Sequence, residues 1–245
     1  SGITVLNWKF QDGSGSSTVK DLATGHLDGR IVEPDKAQWS REDDRGWFLC
    51  LRGGGVILPA HETLSLRNDL AISCRFSADP SEIAPGTRAA LLTYGTEFGV
   101  WITSDGSIEV SGNATNKEPW QLPVRLSRNK DYLLELRWTG NTVQVSIDGT
   151  SAARQPFDVS APDPTAAWRL GGIAAEPFPG NIYELKFIDT GSSHPETATG
   201  TEPEMPLESL IDPPGTVLVR DFSQFQPAPV IGGMNSHPVN WQFTG

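Results

Sequence analysis

The chain has few basic residues and no long apolar run. Its 245 residues include 19 Lys and Arg against 30 Asp and Glu, which gives a formal net charge of −11. This balance opposes the counterion release that drives binding to nucleic acid and the attraction of basic segments to anionic lipids. No stretch reaches the roughly 18 apolar residues of a membrane-spanning helix. We therefore expect neither nucleic acid nor membrane insertion, whereas an acidic surface suits divalent cations and neutral sugars.

Cysteine is also scarce. Cys50 and Cys74 are the only two, and each lies inside an apolar, strand-like stretch. A free cysteine in such a stretch behaves as a small hydrophobic residue, which favours two buried thiols. One disulfide stays open as the alternative, because the spacing in the sequence does not give the Cα separation that a bridge needs.

Motifs that bind phosphate or zinc are missing. No G-x-x-x-x-G-K-[ST] loop occurs, and Gly53–Gly55 leads into a strand rather than a helix, so it predicts a tight hairpin. The histidines lie in turn-like or proline-flanked segments, with neither zinc-ligand spacing nor a nucleophile elbow nearby. They are His26, His61, His194 and His237. These patterns argue against a nucleotide-binding loop, a zinc site and the catalytic triad of a hydrolase.

Paired acids for glycan hydrolysis are not evident either. A retaining glycosidase needs two carboxylates about 5 Å apart, which a strand supplies at alternate positions. The acids of Arg41–Gly46 are adjacent and predict a solvated loop, and Glu109, Glu135 and Glu184 occur singly in strands. We expect a protein without enzyme activity and keep a glycan-cleaving hydrolase as the alternative.

Alternation of apolar and polar residues dominates the first 189 residues and predicts an all-β sandwich. Hairpin turns are predicted at Ser104–Gly106 and Thr139–Asn141, because Gly and Asn accept the positive φ of such turns. The twelve predicted strands are Thr4–Phe10, Gly29–Val32, Trp47–Leu51, Gly55–Leu58, Leu70–Ser77, Ala89–Tyr94, Phe98–Thr103, Ser107–Ser111, Tyr132–Thr139, Thr142–Ile147, Trp168–Gly171 and Ile182–Ile188.

The composition changes after residue 189. Residues 190–215 are rich in Pro, Ser, Thr and Glu and predict a linker or an extended strap. Beyond them, Thr216–Phe222 repeats four of the seven residues of Thr4–Phe10. Residues 216–245 are therefore either the start of a truncated second copy or an arm that returns to the first domain.

Several segments of the chain form an ordered set of landmarks. They are the turn Asp21–Gly29, the segment Gly53–Pro59, the strand Leu70–Phe76, the hairpin Tyr132–Gly149, the segment Leu170–Gly172 and the strand Gly180–Ile188. Their order resembles the LamG-like (laminin G type 3) domains of the concanavalin A-like lectin and glucanase superfamily. Tyr132–Gly149 is similar to the family's "W-H-x-V-A-x-T-Y-D-G-x-T-V-x-L-Y-V-D-G" hairpin, and Gly180–Ile188 to its "F-x-G-x-I-D-E-V-R-I" strand, with Tyr183 in place of the Asp. The match covers residues 3–189.

The resemblance implies a two-sheet antiparallel jelly roll that binds carbohydrate or a cell-surface or matrix protein. It also implies a domain of a longer chain at an extracellular, cell-surface or periplasmic location. A structural spacer that binds nothing is a further hypothesis.

A structural Ca²⁺ ion is a candidate cofactor, since carboxylates suit this hard cation. Asp12, Asp21, Asp28 and Glu184 are the candidate ligands, with Asp21 and Glu184 favoured by the resemblance. Asp21 and Asp28 have a simpler alternative role, which is to accept hydrogen bonds from their own turn.

Aromatic residues are the candidates for sugar binding, because ring faces stack on pyranose rings while polar groups bind hydroxyls. The patterning assigns Trp8, Trp47 and Trp138 to the core. The predicted ligand-binding residues are Trp101, Trp120 and Tyr94, with Asn113 and Asn116.

Overall fold

A computed structural model describes residues 2–112, 118–151, 154–156 and 166–191. The chain divides into two units, Ser1–Pro195 and Glu196–Gly245, and the described residues belong to the first. The predicted segment 216–245 and all but the first two residues of the predicted linker lie outside the described ranges. Those two domain assignments stay predictions. No helix in the described ranges is long and apolar enough to span a membrane.

The described chain is built from short strands, with three 3-10 turns at Pro34–Lys36, Glu62–Leu64 and Pro80–Glu82. All twelve predicted strands are present, with some ends shifted by up to three residues. The strands are β1 (Ile3–Trp8), β2 (Thr18–Val19), β3 (Gly29–Val32), β4 (Ala37–Glu42), β5 (Gly46–Arg52), β6 (Gly55–Ile57), β7 (Leu70–Ala78), β8 (Arg88–Tyr94), β9 (Phe98–Thr103), β10 (Ser107–Ser111), β11 (Trp120–Arg125), β12 (Asp131–Thr139), β13 (Thr142–Ile147), β14 (Thr150–Ser151), β15 (Gln155–Pro156), β16 (Trp168–Gly171) and β17 (Pro179–Asp189).

The strands form two antiparallel sheets. One runs β14-β13-β12-β7-β17-β5-β4, with β1 added beside β17 and β15 beside β13, and we call it the nine-stranded sheet. The other runs β11-β10-β9-β8-β16-β6-β3-β2, and we call it the eight-stranded sheet. The prediction of an all-β, two-sheet antiparallel sandwich is confirmed.

An aromatic cluster fills the space between the sheets. Trp168 of β16 lies with its ring centroid 5.0 Å from Tyr94 on its own sheet, and 5.8 Å from Trp138 and 5.3 Å from Phe187 on the opposite sheet. Its indole N–H donates to the Leu64 carbonyl at 2.7 Å, so the polar atom of this buried ring is satisfied. Trp168 therefore joins the two layers at the centre of the core.

The predicted core tryptophans are confirmed for two positions of three. Trp8 and Trp138 are fully buried, whereas Trp47 is only half-buried.

Both cysteines are free thiols. Cys74 is buried in the core and Cys50 is partly exposed, because they point to opposite faces of the nine-stranded sheet. Burial raises the pKa of the Cys74 thiol, so it is unreactive where it stands.

Two substantial strands escaped prediction because both lie at sheet edges. β11 contains Pro123, which cannot donate to a ladder but is tolerated on an edge strand. β4 contains Arg41 and Glu42, which were expected in a loop. They instead pair with β5 in a hairpin, where their charged side chains suit an exposed edge.

The prediction of a hairpin at Gly53–Gly55 is wrong. β5 belongs to the nine-stranded sheet and β6 to the eight-stranded one, so these glycines carry the chain across the sandwich. Gly53 has a φ of +102°, which favours glycine, and close packing explains Gly54, since a Cβ there would lie 2.7 Å from the Glu33 carbonyl oxygen.

Candidate functional site

Tyr94 is a core residue in the structure. It is 5% exposed, and its ring packs against Trp168 inside the sandwich. A sugar platform needs an exposed ring face, so the packing argues against Tyr94 as a ligand contact. The sequence pattern predicts that Tyr94 lies in a strand, but it does not show which face of that strand is buried.

Trp101 lies on the outer face of the eight-stranded sheet and is 8% exposed. The Arg88 guanidinium covers its ring at 4.0 Å from the centroid. The indole N–H donates to Glu176 Oε2 at 2.7 Å, and Arg88 Nε donates to Glu176 Oε1 at 2.8 Å. Trp101 thus belongs to a closed cluster, and a sugar would have to displace Arg88 to stack on it.

The same cluster bears on the hydrolase hypothesis. Glu109 is the second carboxylate beside Arg88, 4.0 Å from Nη1. A glycosidase needs one acid free to donate a proton and another free to attack or to activate water. Both oxygens of Glu176 already accept hydrogen bonds, so this pair has the character of an ion-pair cluster.

Trp120 is the remaining aromatic candidate. It begins β11 at the edge of the eight-stranded sheet, is partly buried and packs against the core. Asn113 and Asn116 lie outside the described residues, so their part in the predicted site stays a prediction. The structure therefore does not assemble an exposed aromatic platform from Tyr94, Trp101 and Trp120.

Asp21 is 5% exposed, and backbone N–H groups enclose its carboxylate. Oδ1 accepts from Asn7 at 2.8 Å and from Ala23 at 2.9 Å, and Oδ2 accepts from Leu27 at 2.8 Å. Leu27 in turn accepts the indole N–H of Trp8 at 3.0 Å. Asp21 therefore ties a turn to the first strand and to a core tryptophan.

The other candidate calcium ligands are separately engaged. Asp28 accepts from the Asp21 backbone N–H at 2.8 Å, Asp12 from that of Lys20 at 3.3 Å, and Glu184 pairs with Lys9 at 2.5 Å. Within the described ranges, no group of three or more His, Cys, Asp and Glu side chains could hold a metal ion. The geometry thus gives these residues hydrogen-bonding and ion-pair roles, and bound calcium stays a prediction.

A polar cavity lies on the outer face of the nine-stranded sheet, where the sequence analysis placed no site. We call it the tyrosine pocket. It measures about 320 Å³, and its lining includes Arg45, Ser77, Asp131, Asn181 and Tyr183. Ser77 of β7 pairs with Asn181 of β17 and with Asp131 of β12. Register therefore sets these three side chains in one row across the sheet.

A β-bulge lies at Tyr183, beside this row. Ile182 pairs with Phe76 and Glu184 with Arg75, which leaves Tyr183 as an extra residue without a partner on β7. Strand alternation keeps Ile182 in the core and places Tyr183 with Asn181 on the outer face. Bulges are enriched beside functional sites.

Three polar side chains form a continuous hydrogen-bond network in the pocket. The hydroxyls of Ser77 and Tyr183 are 2.9 Å apart. Asn181 Nδ2 donates to Ser77 Oγ at 3.2 Å and to Tyr183 Oη at 3.3 Å. Asn181 Oδ1 accepts no hydrogen bond from another described residue, so it remains an acceptor for a ligand hydroxyl.

Two side chains contact the ring of Tyr183. Arg45 lies over the ring at 4.3 Å from its centroid, and Phe48 packs in a tilted geometry with its ring centroid at 5.3 Å. Burial disfavours the Arg45 charge, but its hydrogen bond to Asp131 and the nearby Tyr183, Asp131 and Glu42 raise the pKa of the guanidinium. Arg45 therefore covers one face of the ring, and the phenol hydroxyl joins the polar network of the pocket.

Each arginine that lines the tyrosine pocket has a carboxylate partner. Arg45 binds Asp131 at 2.9 Å. At the rim, Arg128 lies 3.1 Å from Asp79, and Arg52 lies 3.8 Å from Glu82. These pairs leave no unopposed positive charge in the pocket, which suits uncharged, hydroxyl-rich groups.

Sequence reasoning missed this pocket, although one signal existed. Tyr183 departs from the Asp of the family pattern, and a tyrosine in a predicted last strand would ordinarily be read as core. The register between β17 and β7 brings Tyr183 beside Ser77, and no local pattern shows that register.

No family model matches the chain, and no curated protein matches it in sequence. Among solved structures, Trypanosoma rangeli sialidase in complex with the inhibitor DANA superposes with a TM-score of 0.60 at 14% identity, over 78% of this chain and 31% of the sialidase. Domain 4 of AbnA, an extracellular GH43 arabinanase from Geobacillus stearothermophilus, in complex with arabinotriose, gives 0.55 at 16% identity over 77% of this chain and 93% of that domain. The binding domain of botulinum neurotoxin serotype D gives 0.55 at 13% identity, over 78% of this chain and 49% of that one. These likenesses show a shared β-sandwich fold.

Proposed function

We propose that this chain is a non-catalytic carbohydrate-binding domain of a larger, secreted protein, and that the tyrosine pocket holds a sugar unit. The observation that carries the proposal is the Ser77–Asn181–Tyr183 network at the wall of a cavity of about 320 Å³. A few convergent polar groups in a cavity of this size are typical of small-ligand sites.

The chemistry of the pocket fits sugar hydroxyls. Asn181 offers an acceptor, while the hydroxyls of Ser77 and Tyr183 can each donate or accept. Because the arginines are already paired, the pocket does not require an anionic ligand. The arabinanase domain supports the proposal, since a sandwich of similar size and fold is seen there in complex with arabinotriose.

Removal of one hydroxyl tests the proposal. Tyr183→Phe keeps the contacts of the ring with Arg45 and Phe48 but removes the phenol oxygen from the pocket. We expect binding to weaken about tenfold, the effect of one lost hydrogen bond at a desolvated site. The measurement is affinity for a panel of arabinan, xylan, galactan and sialyllactose, after thermal melts confirm that the variant folds.

Tyr94→Phe is the matched control, because it removes a buried tyrosine hydroxyl from the opposite sheet. It should leave affinity unchanged. A loss with Tyr94→Phe and none with Tyr183→Phe would contradict the proposed site. If the wild-type chain binds none of the sugars in the panel, a structural spacer is favoured. If new reducing ends form in the same incubations, a hydrolase is favoured.

A further inference from the structure

A second cavity lies on the same outer face as the tyrosine pocket. It measures about 390 Å³ and is lined by Ser73, Glu135, Arg137, Ser146 and other residues, and we call it the serine cavity. Ser73 and Ser77 are both on β7 and point to the same face, four residues apart, which separates them by roughly 13 Å at the strand's rise per residue. The two cavities are thus neighbours on one surface.

Three cations lie along the serine cavity and between it and the tyrosine pocket, and we call them the cationic strip. Arg75 lies on β7 between Ser73 and Ser77, and Lys186 pairs in register with Ser73. Arg137 pairs with Ala71 and lines the serine cavity on the side away from the tyrosine pocket. None of these three cations forms an ion pair with another described residue. Of the nearby carboxylates, Glu184 is neutralised by Lys9, which leaves Glu135.

Such a cationic strip contrasts with the rest of an acidic chain of net charge −11. Guanidinium and ammonium groups that lack a carboxylate partner are free to bind carboxylate or sulfate groups of a ligand. The two cavities also offer hydroxyl and amide groups, from Ser77 and Asn181 in one and from Ser73, Ser146 and Gln144 in the other. A chain in which acidic groups alternate with hydroxyl-bearing units would satisfy both chemistries.

We infer that the two cavities and the strip form one extended site for an acidic glycan chain, with Arg75, Lys186 and Arg137 binding its acidic groups. The inference rests on the proposed function and adds the class of ligand to it. Nucleic acid fits less well. Tyr183 is the only aromatic residue among those lining the two cavities, and Arg45 covers one face of its ring, whereas bases need open rings on which to stack.

The test compares acidic and neutral probes. Oligogalacturonate presents carboxylates, chondroitin sulfate oligosaccharides present sulfates, and galactan oligosaccharides are neutral. The test variant combines Arg75→Gln with Lys186→Gln. We expect at least one acidic probe to bind the wild type more tightly than galactan, and the variant to lose about tenfold or more of that affinity. The salt dependence of binding should also become shallower.

Arg30→Gln is the matched control, since Arg30 is exposed on β3 of the other sheet and has no ion pair with another described residue. This variant should leave the affinity for every probe unchanged. Tighter binding of galacturonate or of chondroitin sulfate identifies the acidic group, and either result supports the inference.

Other outcomes separate the inference from the proposed function. If galactan binds as tightly as both acidic probes, and only Tyr183→Phe weakens binding, the extended acidic site is overturned while the sugar pocket stands. Oligo-dT serves as a nucleic-acid probe, and its binding as tightly as the acidic glycans or more tightly would also overturn the extended acidic site. An equal loss of affinity in the Arg30→Gln variant would do the same. If the wild type binds neither these probes nor the panel of arabinan, xylan, galactan and sialyllactose, both proposals fail.

Discussion

Asp21→Ala is expected to lower the free energy of unfolding by about 3 kcal/mol, because the change leaves buried N–H groups without an acceptor. The carboxylate accepts from Asn7, Ala23 and Leu27, and its own side chain is 5% exposed. Leu27 also holds the indole of Trp8, so the loss extends to the packing of the first strand. Urea denaturation of the variant and the wild type measures the difference.

The same experiment separates the turn role of Asp21 from a calcium role. If Asp21 acts through hydrogen bonds alone, EDTA leaves the wild-type melting temperature unchanged and the variant is destabilised with or without chelator. If Asp21 ligates calcium, EDTA lowers the wild-type melting temperature and has little further effect on the variant. Asp44→Ala is a suitable control, since Asp44 is exposed and is not among the candidate calcium ligands.

Trp168→Ala is expected to cost about 4 kcal/mol, the usual range for removing a buried indole. Its ring contacts Tyr94 on one sheet and Trp138 and Phe187 on the other, so the cavity opens at the point where the layers meet. Chemical denaturation at one temperature gives the value.

Trp168→Phe separates packing from hydrogen bonding. It keeps a ring in the cluster but leaves the Leu64 carbonyl without the indole donor, so we expect a smaller loss of about 1–2 kcal/mol. A loss of less than about 1 kcal/mol for Trp168→Ala would show that Trp168 is not at the centre of the core, since large-to-small core changes cost more.

The fold was largely predictable because alternation along a strand is a local signal. The hairpin of β12 and β13 is predicted from its own residues alone, because Gly140 supplies the positive φ of the turn. Pro123 hid β11, since a proline argues against a strand unless the strand is known to lie at an edge. Which strands lie at edges depends on pairing between distant segments, so it was not available from the sequence.

The candidate site was much less predictable than the fold. Alternation places Trp101 on a strand but does not show that Arg88, on the neighbouring strand, covers its ring. Asp21 could be read as a turn residue or a metal ligand, and only the three enclosing N–H groups favour the first. Tyr183 lies beside Ser77 because of the register between β17 and β7, which are about 100 residues apart in the chain.

The most direct test of a sugar site at the tyrosine pocket is NMR titration of the labelled chain with whichever of arabinan, xylan and oligogalacturonate fragments binds most tightly. We expect the largest chemical-shift changes at Ser77, Asn181 and Tyr183, with little change at the indole N–H groups of Trp101 and Trp120. Large changes at those two indoles, with Ser77, Asn181 and Tyr183 unmoved, would contradict the account.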